Sequence, residues 1–250
     1  MSVVSTAAPS RIRLVSLKVV AVGYAVLTGI ASFGLPSLVT SWSTSGDELQ
    51  LRTAYVVWGV LAGLLIPGLA LSLLARPSLA VWRALAALLV GTVAAMALAF
   101  ERENLGYATV VVGPAVALLL LHPRAREAAR PASADRVSLA IATLMAVPLL
   151  WYGTVMAGHS RATSYVDTMH GQYAQGAVLA FTLVLMSLSG ALRRDGRGIV
   201  VTLVSLSAGA LGVAGILFPH DAMSLGIGWG GLTVAAAVGY AASFALRARR

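Results

Sequence analysis

The sequence predicts an all-α fold: a polytopic integral membrane helix bundle with eight transmembrane helices. Hydrophobic residues occupy 58% of the 250 positions and charged residues only 11%, whereas a soluble domain carries about 25% charged residues. Eight segments reach or approach the roughly 20 apolar residues that a helix needs to cross a bilayer. Short polar stretches separate these segments, as expected for turns at a membrane surface, and we expect no soluble domain.

The predicted spans follow one another along the whole chain. They cover about 15–38, 54–75, 79–100, 105–122, 138–158, 172–192, 198–218 and 223–246. Pro67, Pro114 and Pro148 lie inside spans, where we expect kinks because neighbouring helices can satisfy the freed carbonyls. The first apolar stretch is longer than that of a signal peptide and no A-x-A cleavage site follows it, so we expect a retained helix.

The longest polar stretch lies at the middle of the chain and predicts two halves. The predicted organisation is a first four-helix half (1–122), a cytoplasmic linker (123–137) and a second four-helix half (138–250). At an offset of 120 residues, Asp47 aligns with Asp167 and Glu101 aligns with Asp221. Four helices followed by four of matching polarity would form a tandem four-plus-four repeat.

The charges are divided unequally between the two sets of predicted loops. Fifteen of the eighteen basic residues and three acids fall on the side of the N-terminus, a net +12; the opposite side carries three basic residues and six acids, a net −3. This bias predicts a multi-pass protein of the cytoplasmic (inner) membrane with both termini in the cytoplasm. The excess positive charge therefore indicates contact with the membrane lipid bilayer, and nucleic-acid binding is not expected.

Two absences in the sequence narrow its chemistry. Without cysteine there is no disulfide, no thiolate metal ligand and no cysteine nucleophile. No charged residue is predicted near the middle of a span, which argues against an intramembrane proton relay. The sequence indicates no particular cofactor or oligomeric state.

Polar side chains gather instead at the predicted outer ends of the helices. The candidate catalytic residues there are Asp47, Glu101, Asp167, His170, His220 and Asp221. Partial burial can raise the pKa of one carboxyl group while its neighbour stays ionised, which suits acid–base catalysis. A histidine can move protons near pH 7. This pattern predicts a membrane-embedded enzyme acting on a lipid, polyprenyl or terpenoid substrate; the plainer interpretation is a set of solvated loops.

A transporter, a permease or a membrane-complex subunit is the alternative function. Two small-residue motifs, Gly59-x-x-x-Gly63 and Gly226-x-x-x-Gly230, favour close helix crossings in such a bundle. Tyr152, like most of the tryptophans, is expected either as an interfacial anchor or as part of an aromatic wall around a ligand.

The positions of two histidines allow a third function. His170 begins the sixth predicted helix and His220 ends the seventh, so a bundle could hold a haem or a metal between them. An eight-helix, four-plus-four plan with outer histidines resembles that of haem A synthases, in architecture alone, and the resemblance implies haem ligation by this pair. The first half departs from that plan, because Gln50 corresponds to His170 and Glu101 to Asp221. No HxxxH-type spacing supports a zinc site.

Overall fold

The computed structural model of this chain describes residues 11–42, 52–99, 105–127, 132–162, 170–192 and 195–248. Within these ranges the chain is helical apart from turns, loops and one isolated β-bridge between Ala134 and Leu192. The α-helices of this part are α1 (Arg11–Val26), α2 (Gly34–Thr40), α3 (Arg52–Trp58), α4 (Ile66–Ala75), α5 (Leu79–Ala99), α6 (Leu105–Leu121), α7 (Arg136–Ala162), α8 (His170–Gly190), α9 (Arg197–Leu217) and α10 (Gly226–Ala248). The predicted all-α bundle is confirmed.

Seven helical segments in the described part are long and apolar enough to cross a membrane. They are Arg11–Ala31, Arg52–Ala75, Leu79–Ala99, Arg136–Ala162, Gly171–Gly190, Arg197–Leu217 and Gly226–Arg247. The remaining long helix, α6, has 17 residues. At 1.5 Å per residue it spans about 26 Å, just short of the roughly 30 Å hydrocarbon core. The eighth crossing therefore stays a prediction.

The first predicted span, 15–38, is wrong as a single helix. A π-helical segment, Leu27–Ala31, follows α1, and the chain then turns at Phe33 before α2 begins. The φ angle of Phe33 is 57°, in the left-handed region that a bulky side chain rarely adopts. The indole N–H of Trp58 donates a 2.7 Å hydrogen bond to the carbonyl of Ser32, which satisfies one backbone group exposed by the break.

Glycines allow the backbones on either side of this break to approach closely. The helix α2 packs on a second π-helical segment, Gly59–Leu65, which continues α3 into α4. A Cβ added to Gly34 would lie 2.5 Å from the carbonyl carbon of Ala62, and one added to Gly59 would lie 2.5 Å from the backbone of Leu38. The predicted Gly59-x-x-x-Gly63 packing surface is therefore confirmed, because no side chain fits between these backbones.

The second predicted glycine motif packs through only one of its members. Gly230 of α10 faces Gly212 of α9, where an added Cβ would lie 2.7 Å from the Gly212 carbonyl oxygen. Gly226 has open space around it and a φ of 72°, so it begins α10 at a backbone conformation that favours glycine.

Each half of the chain forms a ring of four helical segments. In the first half, α1 packs on α4 and α6, and α5 also packs on α4 and α6. In the second half, α7 packs on α8 and α10, and α9 also packs on α8 and α10. The two rings have the same order of contacts, which is the order that a tandem repeat would give; the repeat itself stays a prediction.

The two rings join mainly through α5 and α8. A Cβ added to Gly91 of α5 would lie 2.7 Å from the backbone nitrogen of Thr182 in α8, so the two helices touch backbone to backbone. In the apolar 18-residue stretches of Arg52–Ala75 and Gly171–Gly190, 72% of the residues are buried, whereas the shares in the first and last spans are 33% and 28%. The core of the protein therefore lies where the two rings meet.

Candidate functional site

Asp221, a predicted catalytic residue, lies in the turn between α9 and α10. Its Oδ2 accepts hydrogen bonds from the backbone N–H of Thr53, at 3.1 Å, and from the Thr53 hydroxyl, at 2.9 Å. Thr53 lies in the first turn of α3, where backbone N–H groups have no acceptor within the helix. Asp221 thus caps α3 from the opposite half of the chain.

Aromatic contacts hold the same turn against the first half. The Arg52 guanidinium lies 5.1 Å above the ring of Phe218, the residue that follows α9. The ring of Trp42 lies 6.1 Å from that of Phe218. Because cation–π and ring contacts add to the Asp221 cap, the start of α3 and the end of α9 form one joint.

The structure places the other predicted site residues less completely. His220 precedes Asp221 and is exposed. His170 is the first residue of α8, but its side chain is not among those described. Asp47, Glu101 and Asp167 lie outside the described residues. Of the six candidates, only Asp221 and His220 therefore have described side chains.

Further contacts connect this end of the bundle within the second ring and between the two rings. The rings of His159, near the end of α7, and Tyr173, in the first turn of α8, stack with 5.3 Å between their centroids. Arg161 donates a hydrogen bond to the carbonyl of Leu98, near the end of α5. We call this end, with Thr53, His159, Tyr173, His220 and Asp221, the histidine end of the bundle.

Two polar groups that no sequence pattern pairs lie just inside the histidine end. Tyr152 of α7 is fully buried, which disfavours the interfacial-anchor alternative, and the aromatic-wall alternative stays a prediction. A Cβ added to Gly176 of α8 would lie 3.2 Å from the Tyr152 hydroxyl, 3.1 Å from Met156 Cγ and 3.0 Å from Met223 Cε. Packing decides whether the Tyr152 side chain is buried, because a tyrosine in an apolar helix has the same sequence signal whether it faces lipid or core.

Gln172 lies one helical turn before Gly176, on the same face of α8. Its Oε1 is buried, as is the Tyr152 hydroxyl, and neither atom has a hydrogen-bond partner within the described part of the chain. Buried polar atoms without partners cost free energy, and native structures usually supply a partner, an ordered water or a ligand. The Tyr152 hydroxyl therefore lies beside Gly176, one turn of α8 from Gln172, and both groups are available for a hydrogen bond.

The opposite end of the bundle, which we call the basic end, holds the ion pairs found among the described residues. Asp135 is completely buried and pairs with Arg247 of α10 and, at 3.7 Å, with Arg197 of α9. Its Oδ1 also accepts a 3.2 Å hydrogen bond from the backbone N–H of Val137 in the first turn of α7. Asp135 thus ties three helices together. Its position directly before a helix is a capping signal that the sequence contains.

The loops of the two halves also meet at the basic end. Asp195, before α9, pairs with Arg76 at 3.4 Å and with Arg124 at 3.3 Å. Arg13 of α1 donates hydrogen bonds of 2.7 to 3.1 Å to the carbonyls of Leu120 and Leu121 in the last turn of α6 and of His122 just after it. An arginine at a helix C-terminus satisfies free carbonyls and complements the helix dipole.

His122, just past the end of α6, is buried beside these charges. Burial lowers its pKa to about 4; the positive charges of Arg124 and Arg13 act in the same direction, and the Ser78 backbone and Glu127 oppose them. Its Nδ1 accepts a 3.2 Å hydrogen bond from the backbone N–H of Arg124, which assigns the proton of the neutral ring to Nε2. His122 is therefore neutral at pH 7.

The described side chains contain no group of three or more His, Asp or Glu residues placed to hold a metal ion. Haem ligation by His170 and His220 needs only two ligands, and it stays a prediction that a Soret band in the purified protein would test.

The fold and its apolar helices define the chain as a helical membrane protein. Comparison with protein-family models, with curated proteins and with solved structures finds no match to this chain.

Proposed function

We propose that the protein binds an apolar molecule with a hydroxyl head group at the histidine end of the second ring and acts on it by acid–base chemistry. The observation that carries this proposal is the pair of buried, unpartnered polar atoms, Tyr152 Oη and Gln172 Oε1. A hydroxyl group donates one hydrogen bond and accepts others, so it could donate to Gln172 and accept from Tyr152. Long-chain, polyprenyl and terpenoid alcohols combine this head group with solubility in the membrane.

The residues that the sequence gathers at this end would supply the chemistry. In the proposal Asp221 and His220, with Asp47, Glu101, Asp167 and His170, move protons at the head group. Asp221 supports the proposal in one respect, because its carboxylate is held in place by Thr53 through Oδ2 while Oδ1 accepts no hydrogen bond from the described residues. The turn that contains Asp221 is also held against the first half of the chain by the contact between Phe218 and Arg52.

Photocrosslinking to a diazirine-labelled polyprenol in detergent micelles tests the binding step. We expect Tyr152→Phe and Gln172→Leu to lose labelling, because each removes one hydrogen bond to the head group. Tyr240→Phe is the matched control: Tyr240 is buried in the same ring, but its hydroxyl already donates to the Ser187 carbonyl at 2.6 Å. Equal labelling of all three variants would contradict the proposal.

Mass analysis of the extracted polyprenol tests the chemical step. We expect Asp221→Asn to keep binding, since an amide oxygen can still accept from Thr53, and to abolish any covalent change. If the native protein binds the polyprenol without changing it covalently, the enzymatic function is rejected and a binding or transport function remains.

Transport is the second candidate function, and the broken first span favours it. The π-helical segments Leu27–Ala31 and Gly59–Leu65 lie in contact, beside the left-handed Phe33. Discontinuous helices and π-helical turns frequently occur at functional sites of membrane proteins. If the protein is a transporter, Phe33→Gly removes backbone strain and changes the rate at which polyprenol crosses the membrane of proteoliposomes. Leu35→Gly, in the neighbouring helix, does not relieve the strain at Phe33 and is the control. An unchanged rate in Phe33→Gly would argue against this role.

A further inference from the structure

A groove opens on the surface of the bundle between α5 and α8. Its volume is about 250 Å³. Its lining includes Arg83, Ala86 and Val90 of α5, Leu185 and Ser189 of α8, and Leu192 in the turn after α8. Apart from Arg83 and Ser189 these side chains are apolar, so the groove suits a hydrocarbon chain.

The shape of the groove follows from one close contact. At Gly91 and Thr182 the two helices touch backbone to backbone, since an added Cβ at Gly91 would lie 2.7 Å from the Thr182 nitrogen. Ala86 lies more than one helical turn from Gly91 toward the basic end, and its side chain is too small to fill the space between the helices. The groove therefore begins beside the crossing and runs toward the basic end.

Arg83 lies where lipid head groups are expected. It is four residues after Leu79, where α5 begins, which corresponds to about 6 Å along the helix axis. The preceding residue, Trp82, donates its indole N–H to the Leu119 carbonyl at 3.1 Å, and tryptophan is typical of the membrane interface. Val90 lies about 10 Å deeper along α5 than Arg83. The charge thus stands at the mouth of the groove and the apolar lining lies below it.

We propose that this groove is a binding site for an anionic phospholipid, with the phosphate at Arg83 and one acyl chain against Ala86, Val90 and Leu185. The charge of this end supports an anionic ligand. The described arginines at this end include Arg13, Arg76 and Arg124. Basic pockets between transmembrane helices bind anionic head groups, and arginine matches the geometry of a phosphate.

Native mass spectrometry of the purified protein with added phosphatidylglycerol or phosphatidylcholine tests the site. We expect the native protein to retain phosphatidylglycerol in preference to phosphatidylcholine. In Arg83→Gln retention of phosphatidylglycerol falls roughly fivefold, the effect of one arginine near an anionic surface. Arg11→Gln is the matched control, because Arg11 is an exposed arginine at the start of α1 that is not part of the groove.

A second variant separates a groove from a general attraction of charge. Ala86→Phe fills the groove and leaves Arg83 in place, so we expect it to lose phosphatidylglycerol as Arg83→Gln does. Retention by Ala86→Phe at the native level would overturn the groove, and equal losses in Arg83→Gln and Arg11→Gln would overturn the role of Arg83. Circular dichroism and gel filtration of each variant confirm that it is folded.

Discussion

The Asp221 carboxylate binds Thr53 through one oxygen, Oδ2, which accepts both the backbone N–H and the hydroxyl of a residue 168 positions earlier in the chain. The acid that the sequence proposes for catalysis thus also holds the start of α3 against the turn after α9.

Removing this contact is expected to destabilise the protein. We predict that Asp221→Ala lowers the free energy of unfolding by about 1–2 kcal/mol, because the Thr53 groups lose their acceptor. Thr53→Val removes only the hydroxyl bond and costs about 1 kcal/mol or less. A double-mutant cycle measured by unfolding in detergent should give a coupling energy of roughly 1 kcal/mol. Strictly additive effects would show that the contact contributes nothing.

The close approach of α5 and α8 predicts that even a methyl group is too large at Gly91. Its Cβ would lie 2.6 Å from Thr182 Oγ1, 2.7 Å from the backbone nitrogen and 2.9 Å from Cα. The backbone cannot move aside as a flexible side chain can, so we expect Gly91→Ala to cost about 1–3 kcal/mol. Thermal unfolding in detergent measures this loss.

Gly113→Ala is the control for that substitution. Gly113 lies within α6, and nothing stands within 4 Å of its added Cβ. Because alanine is the better helix former, the melting temperature should stay the same or rise. Equal losses in both variants would mean that the α5–α8 contact is not the cause.

The two aspartates of the basic end should respond differently to the same change. Asp135→Asn leaves Arg197 and Arg247 without their buried counter-charge, and we expect a loss of about 3–5 kcal/mol. Asp195→Asn weakens pairs whose Arg76 side chain is 75% exposed, and we expect about 0–1 kcal/mol. Chemical denaturation of both variants makes the comparison; similar values would mean that burial does not strengthen the Asp135 cluster.

His122 predicts a loss of stability in mild acid. Its pKa is about 4 in the folded protein and 6.5 when unperturbed, so the unfolded chain binds the proton more readily. Stability is therefore unaffected above pH 6.5 and falls as the pH drops toward 4, by at most about 3 kcal/mol from this group. His122→Asn can still accept from the Arg124 N–H and does not titrate. Its melting temperature should depend less on pH between 7.5 and 5 than that of the native protein; parallel curves would contradict the assignment.

Much of the fold was predictable because hydropathy is local. Apolar stretches such as Leu79–Ala99 and Arg197–Leu217 appear in the sequence within a few residues of their structural bounds. The break at Phe33 was missed, because hydropathy makes residues 15–38 one largely apolar stretch. The contact that accompanies the break, Gly34 against the backbone of the second span, joins residues far apart in the chain.

The candidate site was predictable only in part. The sequence places Asp221 correctly near the end of a helix, but its bond to Thr53 depends on how the two rings meet. Tyr152 gives no local sign that its hydroxyl is buried, and the cluster around Asp135 joins residues from three helices.

By itself, the sequence determined that this protein is a bundle of apolar helices in a membrane, since the length of an apolar run and the scarcity of charge depend on no contact between distant residues. Only the tertiary structure decided which polar groups are buried and which of them meet. Side-chain hydrogen bonds and ion pairs act over a few ångströms, so they are set by helix crossings such as that of Gly91 and Thr182 and not by spacing along the chain.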